Sequence, residues 1–565
     1  MSSTRVTVVA AVAVTLPSLW LIKRAIRRWI EFTSTAMDEL PALGTSPPTN
    51  RKKHGTVVIC GGSLTGLMCA RVCSDHFERI IVVEPETWSL SPEACIESGV
   101  TGLREISKDG VMYNCMAHKR SRVFQHTFGH AYQAFVLLAL RKLFRNFDER
   151  ALARGAKIGP AHTNTYIDGH RITEPAGYGD KGEFLPETLV ATRRTYEALL
   201  RSLVHEHCPQ VEYVNGTVTE LDTHNISVTG VNVRLVGDNG AMVKYQCDLV
   251  IDATGIAQAG LKLLSRTFTP YSKSAKLVNI REEYDPQVNY VTIEIEPPST
   301  FRANLARIQK QHAIPGPDLD KRIYLEGYNP TGSYDNHGIW TAWVDGNRLN
   351  FIAGGWDSWM PLNIDQLRTY AEELEVRVSR PLPKWWWDVM DLLEPVKDTS
   401  TCVEGKIRSC SRVRYNTVPG MLPHNFIALG DSVMRLNPRG GQGVIKLTIG
   451  AATLDGILRR MPEGPRSPSF SRKFFQLLAD RTDGIWELTR DLDYGWHTTK
   501  PCKGHTLETG SFYRWYFSGL AYLASYDRYA GKVFFAAGHC IGPSFDLFAP
   551  SILLKVVWNA LVGRK

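Results

Sequence analysis

Blocks of apolar and polar residues divide the chain into predicted elements. The apolar, β-branched run Thr56–Cys60 predicts a buried strand, and the apolar segment Leu67–Cys73, behind a glycine-rich turn, predicts a helix. A second β-branched run, Ile80–Val83, ends on Glu84. Strand, glycine turn, helix and strand ending in an acid form the layout of a βαβ unit, so the sequence predicts an α/β domain that begins here.

Further along the chain the hydrophobic pattern has a period of two. Residues 211–250 alternate and contain Asn-Gly turn signals, and they end in the apolar run Leu249–Ile251. Residues 275–400 also alternate and are rich in Trp and Tyr, which predicts a largely antiparallel sheet. The run Phe426–Leu429 predicts another strand before a helix, and the tail after residue 465 reads as helical and aromatic.

The N-terminus carries an uncharged run of its own. Val6–Ile22 has no charged residue and is followed by Lys23, Arg24, Arg27 and Arg28. At 1.5 Å per residue the run spans roughly 26 Å, which is the low end of a membrane crossing. The sequence therefore predicts a single-pass anchor with the rest of the chain in the cytosol, at the endoplasmic reticulum in a eukaryote. A helix that only lies on the membrane is the alternative.

Composition narrows the class of protein. The chain has 565 residues, of which 43% are hydrophobic and 22% charged, as in ordinary globular proteins. The net charge of +9 is scattered rather than gathered in basic blocks, so we expect no nucleic-acid partner. Eleven cysteines without a CxxC pair predict a reducing compartment and no bound metal.

The first turn is the strongest candidate for binding chemistry. Gly61, Gly62 and Gly66 allow backbone N–H groups to approach a pyrophosphate at a helix N-terminus, and Ser63 stands in place of the middle glycine. Glu84 at the next strand end is placed to accept hydrogen bonds from ribose hydroxyls.

Two later turns repeat this theme. The buried strand that ends at Asp252 runs into Ala-Thr-Gly255, and a third apolar strand ends in Gly430-Asp431. The loop that follows contains Pro438 and Gly441-Gln442-Gly443 at a predicted helix start, where N–H groups can stabilise negative charge.

The segment from residue 119 to residue 131 offers isolated candidates. Arg120 could meet a cofactor phosphate, Gln125 could donate to a flavin or ribityl oxygen, and His130 could act as a base. A solvated loop is the alternative for Arg120 and Gln125, and packing or capping is the alternative for His130.

With these segments in view, the chain resembles a known family. Residues 61–66 (GGSLTG), 248–255 (DLVIDATG) and 430–444 (GDSVMRLNPRGGQGV) resemble class A flavoprotein monooxygenases, the group of para-hydroxybenzoate hydroxylase and squalene epoxidase. The closest resemblance is to polyether-type olefin epoxidases and related FAD-dependent oxidoreductases. The helix that begins Thr192-Arg193 is similar to a Ser-Arg motif of that branch, and Phe128 replaces the first histidine of its His-x-His pair.

The resemblance implies an α/β fold in which a Rossmann-like FAD-binding domain (three-layer ββα) carries an inserted, mostly antiparallel β-sheet substrate domain and a helical C-terminal region. The domains predicted on this basis are an anchor at 1–30, a linker at 31–54, a FAD-binding domain at 55–274 with a helical insertion at about 131–185, a substrate sheet at 275–400, the last FAD-binding segment at 401–460 and a helical region at 461–565.

The implied reaction uses FAD, with NAD(P)H as a transient co-substrate and O2 as the oxidant. In such enzymes a flavin C4a-hydroperoxide passes one oxygen atom to the substrate, so the resemblance implies no catalytic dyad, and His130 is the only protein candidate. The substrate is expected to be a lipophilic small molecule that is epoxidised or hydroxylated, in secondary metabolism, with the membrane as a further partner. The predicted cofactor-binding residues are Gly61, Gly62, Ser63, Gly66, Glu84, Arg120, Gln125, Arg193, Gly255, Gly430, Asp431, Pro438, Gly441, Gln442 and Gly443.

Two other functions stay open at this point. A flavin-dependent reductase or dehydrogenase of a prenyl-type lipid would keep the flavin without oxygen transfer. A membrane adaptor with a FAD-type fold, whose turns have lost their binding residues, would have no enzymatic activity. Gly440, where relatives tend to carry an aromatic residue, is the feature that leaves this alternative open.

Overall fold

A computed structural model describes residues 18, 20–47, 53–161, 164–172, 185–237, 239–267, 279–314, 318–330, 336–377, 382–407 and 409–563. The strands are, in chain order, β1 His54–Cys60, β2 Phe77–Glu84, β3 Val100–Lys108, β4 Val111–His118, β5 Lys157–Pro160, β6 Thr165–Ile167, β7 His170–Arg171, β8 Glu187–Val190, β9 Val211–His224, β10 Ser227–Leu235, β11 Met242–Gln246, β12 Leu249–Asp252, β13 Arg281–Tyr284, β14 Val288–Ile295, β15 Tyr324–Asn329, β16 His337–Val344, β17 Arg348–Trp356, β18 Thr401–Ile407, β19 Cys410–Val413, β20 Phe426–Ala428 and β21 Met434–Arg435. The helices are α1 20–34, α2 Leu64–Ser74, α3 Ala134–Leu143, α4 Phe147–Ala153, α5 Arg193–His207, α6 Ala259–Thr267, α7 Phe301–Gln311, α8 Ile364–Arg377, α9 Lys384–Asp391, α10 Gly443–Arg460, α11 Phe470–Asp493, α12 Ser511–Ala524, α13 Arg528–Gly538 and α14 Pro550–Leu561.

The β-branched runs form the first sheet. In the described residues it has seven strands in the order β11-β10-β9-β2-β1-β12-β20. The strands from β9 to β20 pair in parallel, with Val57 of β1 opposite both Ile80 and Leu249, while β9, β10 and β11 form an antiparallel meander. Val57, Val58 and Ile59 are fully buried, as expected for a parallel sheet that is covered on both faces.

The predicted βαβ unit is present as β1, α2 and β2. Helix α2 is buried along nearly its whole length and packs against α5 and α10. The carboxyl ends of β1, β12 and β20 lie side by side, because these strands are parallel neighbours. That edge of an open α/β sheet is where ligands bind.

The tryptophan-rich middle of the chain builds the second sheet. Within the described residues it has nine strands in the order β3-β4-β18-β14-β17-β16-β15-β6-β7, and its central pairs are antiparallel. Strands β3 and β4, which follow β2 in the chain, form one edge of the second sheet. The two sheets together confirm the predicted fold class.

The two faces of the second sheet have different neighbours. On β14, Val291 and Ile293 point into a core shared with α7, α8 and α9, whereas Tyr290 points the other way, into a cavity. This is the period of two that alternating strands impose. Trp385 and Trp386 of α9 are buried in the same core, so this part of the Trp cluster serves packing.

The C-terminal region is helical, as predicted. Helix α11 packs against α10 along the first core, and α12, α13 and α14 share a smaller core of their own. Helix α1 joins this region through an ion pair between Arg27 and Asp546.

The predicted membrane anchor is wrong. Among the described residues no helix combines the length and the apolar character that a bilayer crossing requires. Most of Val6–Ile22 lies outside the described residues, and helix α1, which begins within this run, carries Lys23, Arg24, Arg27, Arg28 and Glu31. Its C-terminal part is held by protein: Phe32 lies 4.9 Å from the Arg460 guanidinium and 5.3 Å from that of Arg481. This finding also contradicts the predictions that depended on the anchor, namely the single-pass topology, the membrane partner and the membrane localisation.

Candidate active site

A cavity of about 620 Å³ begins at the carboxyl ends of β1, β12 and β20 and continues to the inner face of the second sheet. Its first part is lined by the three predicted turns, and its second part by aromatic residues of β14 to β17. Segments that are far apart in the sequence therefore share one cavity.

The first turn is built so tightly that only glycine fits at two positions. Gly61 has φ +111°, and a Cβ there would lie 2.4 Å from the carbonyl oxygen of Ala253. A Cβ on Gly66 would lie 1.8 Å from the carbonyl oxygen of Gly61. These contacts bring β1, β12 and the start of α2 together, so Gly66 acts in packing and does not line the cavity.

Ser63, which replaces the middle glycine, connects the turn to α5. Its hydroxyl accepts a hydrogen bond from Arg193 Nη2 at 3.0 Å, and Arg193 Nη1 lies 3.5 Å from Gln125 Oε1. All three residues line the cavity. The serine thus brings together two other predicted site residues.

Glu84 closes the other side of the turn. Its carboxylate accepts hydrogen bonds from Gly62 N at 2.7 Å and from Glu86 N at 2.9 Å, and it lines the cavity although it is nearly buried. Gly62 itself does not line the cavity. Each carboxylate oxygen has a further lone pair, so Glu84 can still accept from a hydroxyl.

Arg120 lies behind the turn and is held by two carboxylates. It pairs with Glu86 and, through Nη2, with Glu197 at 2.9 Å. Glu197 also pairs with Arg201 at 2.9 Å and with Arg193 at 3.4 Å. Burial alone would raise the pKa of Glu197, but the guanidinium groups of these arginines hold it well below its usual range. A permanently ionised Glu197 therefore ties Arg120 to Arg193.

The second and third turns are joined by hydrogen bonds. Gly255 N donates to the Ser432 hydroxyl at 2.9 Å, and this hydroxyl donates to Asp252 at 3.1 Å. A Cβ on Gly430, which has φ +65°, would lie 2.5 Å from the Thr65 hydroxyl of the first turn. Gly430 therefore lets the third turn pack closely against the first turn, and it does not line the cavity.

Asp431 points into the cavity with a cation beside it. Its Oδ1 lies 2.6 Å from Nζ of Lys446, a residue of α10 that is only 4% exposed at its side chain. The pair places one carboxylate and one ammonium group on the cavity wall at the third turn.

The start of α10 faces the cavity with open backbone. Gly441 has φ +63°, and a Cβ on Gly443 would meet no protein atom within 4 Å. Pro438, Gly441 and Gly443 line the cavity, whereas the Gln442 side chain turns away and accepts a hydrogen bond from Thr489 at 3.1 Å. The first N–H groups of a helix carry partial positive charge, which suits an anionic ligand group.

His130 also lines the cavity. Its Nδ1 is 2.9 Å from the carbonyl oxygen of Phe128, so this nitrogen carries the proton and donates. Loss of solvent and the nearby Arg193 charge lower the pKa of His130 to about 4. At neutral pH the ring is uncharged and too weakly basic to serve as an efficient general base.

The second part of the cavity is aromatic. Tyr290, Tyr328, Trp340 and Trp356 line it, and Trp340 donates from its ring nitrogen to an asparagine side chain, which fixes its orientation. The Trp356 ring stacks on Trp496 with centroids 3.6 Å apart. Such a surface favours an apolar ligand.

The structure brings most of the predicted residues to one cavity. Those that line it are Gly61, Ser63, Glu84, Arg120, Gln125, His130, Arg193, Gly255, Asp431, Pro438, Gly441 and Gly443. Those that do not are Gly62, Gly66, Gly430 and Gln442. Sequence reasoning missed Lys446, Asp252, Arg435 and Arg439, which line the cavity as well.

Asp493, the last residue of α11, is fully buried behind this wall. It accepts hydrogen bonds from the Tyr284 hydroxyl at 2.8 Å and from Asn437 Nδ2 at 3.0 Å. Burial raises the pKa of Asp493 to about 7, and the nearby Arg439 charge and these hydrogen bonds keep it from rising further.

We expect Asp493→Asn to weaken the dependence of stability on pH. A carboxyl group whose pKa is higher in the folded state favours folding at low pH, and that contribution is lost as the pH rises from about 4 to about 7. For a shift of this size the loss approaches roughly 4 kcal/mol in the free energy of unfolding. Asparagine mimics the neutral carboxyl, so the variant should lose less stability between pH 5 and pH 8 in urea unfolding. Asp480→Asn, an exposed site on the same helix, is the control, and an unchanged slope in Asp493→Asn would contradict the expectation.

Comparison with known proteins points to one fold. No protein-family model matches the chain, and no curated protein sequence matches it. Among solved structures, it is similar to the flavin-dependent brominase Bmp2, with 12% sequence identity and a TM-score of 0.50 over 90% of this chain and 99% of that chain. It is also similar to a flavoprotein/dehydrogenase from Cytophaga hutchinsonii, with 11% identity and a TM-score of 0.52 over 91% of this chain and 100% of that chain. At such identities the likeness shows a shared fold alone.

Proposed function

We propose that the chain is an FAD-dependent monooxygenase that uses NAD(P)H and O2 to epoxidise or hydroxylate a lipophilic small molecule. The proposal is supported by the cavity in which the three glycine turns lie next to an aromatic region. This region, the aromatic chamber, is lined by Tyr290, Tyr328, Trp340 and Trp356. A cofactor held by the turns would have its reactive end at that chamber.

The residues present fit FAD. The start of α2 and the start of α10 supply backbone N–H groups for the diphosphate and for the pyrimidine end of the ring system. Glu84 and Asp431 supply acceptors for the ribose and ribityl hydroxyls. Gly443 and Gly255 leave open space where a side chain would otherwise stand. When bound, FAD supplies the activation of O2, and the protein supplies the position and the exclusion of water.

The chamber itself supports oxygen transfer to an apolar substrate. Tyr290, Tyr328 and Trp340 give it an apolar wall, and the neutral His130 is a poor base. Hydroxylation of a phenol benefits from a base that removes its proton, whereas epoxidation of an olefin needs none. This combination favours epoxidation.

We expect the purified protein to be yellow, with close to one FAD per chain, and to consume NAD(P)H in the presence of O2. Mass spectrometry of products formed under ¹⁸O2 from a panel of olefinic and phenolic lipids then tests the reaction class. One labelled oxygen atom in the product supports a monooxygenase. A reduced or dehydrogenated product that forms equally well without O2 would support the reductase instead, and a colourless protein that takes up no FAD would refute both.

A further inference from the structure

The charges on the cavity wall are unevenly distributed. Every carboxylate that lines the cavity lies at the end formed by the turns and already has partners: Glu84 with backbone N–H groups, Glu86 with Arg120, Asp252 with hydroxyl and backbone groups, and Asp431 with Lys446. The wall also carries Arg122, Arg435 and Arg439, and the ion pairs found among the described residues include none of the three. Arg122 lies beside Glu86 at the turns, where its backbone N–H donates to that carboxylate at 3.3 Å, so Arg435 and Arg439 are the two unpaired arginines away from the lining acids.

Arg439 belongs to the chamber rather than to the turns. Its guanidinium lies 5.3 Å from the Trp356 ring and 5.1 Å from the Trp496 ring, and Nη2 donates to the carbonyl oxygen of Pro330, just beyond β15. Nη1 is buried and has no hydrogen-bond partner in the described structure. The carboxylates of Asp493 and Asp168 are close enough for their charges to act on it. A buried guanidinium whose N–H groups lack an acceptor lowers the stability of the folded protein, unless a ligand supplies that acceptor.

Arg435 places a second cation on the same wall. It lies on β21, half-buried, opposite Ser411 of β19. Arg435 and Tyr290 line the same cavity, and the Arg435 charge opposes the rise in the pKa of Tyr290 that burial causes. Aromatic walls and two arginines suit a molecule with an apolar body and one acidic end.

We propose that the substrate is an amphipathic organic carboxylate whose acid group is held by Arg439 and Arg435 while its apolar body lies against the aromatic chamber. The inference rests on the proposed function for the place of the cofactor. The diphosphate of FAD is the other anion that could meet these arginines, but its end of the cavity has its own cations in Arg193 and Lys446. Arg439 instead contacts the second sheet.

A matched pair of ligands tests this directly. Naphthalene-2-carboxylate and naphthalene-2-carboxamide share one apolar body and differ in charge. We expect the FAD-loaded, oxidised protein to bind the carboxylate about tenfold more tightly in calorimetry, because charge-assisted hydrogen bonds to a buried guanidinium are strong. Arg439→Gln should reduce this preference to less than about threefold, and Arg435→Gln should lower it as well. Arg439→Lys should keep part of the preference, because lysine retains the positive charge but lacks the paired N–H groups with which arginine binds a carboxylate.

Arg79→Gln is the control, since Arg79 is an exposed, ion-paired arginine of β2 outside the cavity, and the preference should be unchanged. Equal affinity of the wild-type protein for both ligands would overturn the proposal. So would a preference that survives both Arg439→Gln and Arg435→Gln, or loss of FAD from Arg439→Gln at an unchanged melting temperature, which would assign the arginine to the cofactor. The binding assay needs neither NAD(P)H nor turnover, so a failure of the monooxygenase proposal in the ¹⁸O2 experiment would leave its result readable.

Discussion

Gly443→Phe is expected to abolish FAD binding while the protein stays folded. Gly443 is the first residue of α10 and lines the cavity, and a Cβ added there would contact no protein atom within 4 Å. Its φ is not in the left-handed region, so a larger residue causes no backbone strain. The phenylalanine ring must therefore enter the space that we assign to the flavin.

We expect the dissociation constant for FAD to rise about 100-fold or more, which corresponds to about 3 kcal/mol. The melting temperature of the FAD-free protein should change by no more than about 2 °C, because no packed group is displaced. Flavin absorbance after dialysis and thermal unfolding of the stripped protein measure the two quantities.

Gly484→Phe is the matched control. Gly484 is also a helical glycine, exposed on α11, with only the Ser544 hydroxyl at 3.7 Å from an added Cβ. This variant should keep FAD at wild-type occupancy. If Gly443→Phe keeps FAD as well, the cofactor does not approach the start of α10, and the assignment of Gly441 and Gly443 to cofactor binding is wrong.

The parts of the site that could be predicted from sequence are those with strong local signals. The sequence shows directly that apolar strand runs end in glycine turns at Gly61, Gly255 and Gly430. Because the strands are parallel, their carboxyl ends meet at one edge of the sheet. The helix that begins at Arg193 also carries a local signal in its threonine cap, since the Thr192 hydroxyl accepts from Thr195 N. Local pattern thus located the cavity.

Partners that meet only in the folded chain could not be predicted. Nothing near Glu197 in the sequence shows that it holds Arg120, which is 77 positions away (197 minus 120). Lys446 gave a usable signal, because it is the lone charge at the start of an otherwise apolar helical run. A buried charge in such a run requires a partner, although the sequence alone does not say that the partner is Asp431.

Glycines in the motifs also proved to have two different roles. Gly255 and Gly443 leave room at the cavity, whereas Gly66 and Gly430 let protein segments touch. The sequence shows the glycine but not what the missing side chain makes room for. This is why three predicted glycines, Gly62, Gly66 and Gly430, lie at the turns without lining the cavity.

The charge pair on the cavity wall leads to the second large effect. Asp431→Ala leaves the Lys446 ammonium group nearly buried and unpaired, and breaking a buried pair in this way costs about 3 kcal/mol or more in the free energy of unfolding. We expect that loss in urea unfolding of the FAD-free protein. The double variant Asp431→Ala/Lys446→Met removes both charges, keeps the side-chain volume at 446, and should recover most of the stability.

FAD binding should behave differently from stability in the same series. Both Asp431→Ala and the double variant lack the carboxylate that we assign to the ribityl hydroxyls, so both should bind FAD weakly even though only one is unstable. The exposed pair Arg79–Glu212, with its nitrogen and oxygen 2.7 Å apart, provides the control cycle. Its coupling energy should stay below about 1 kcal/mol, because solvent screens it. If the double variant recovers FAD affinity together with stability, the loss in the single variant came from the fold, and Asp431 makes no contact with the cofactor.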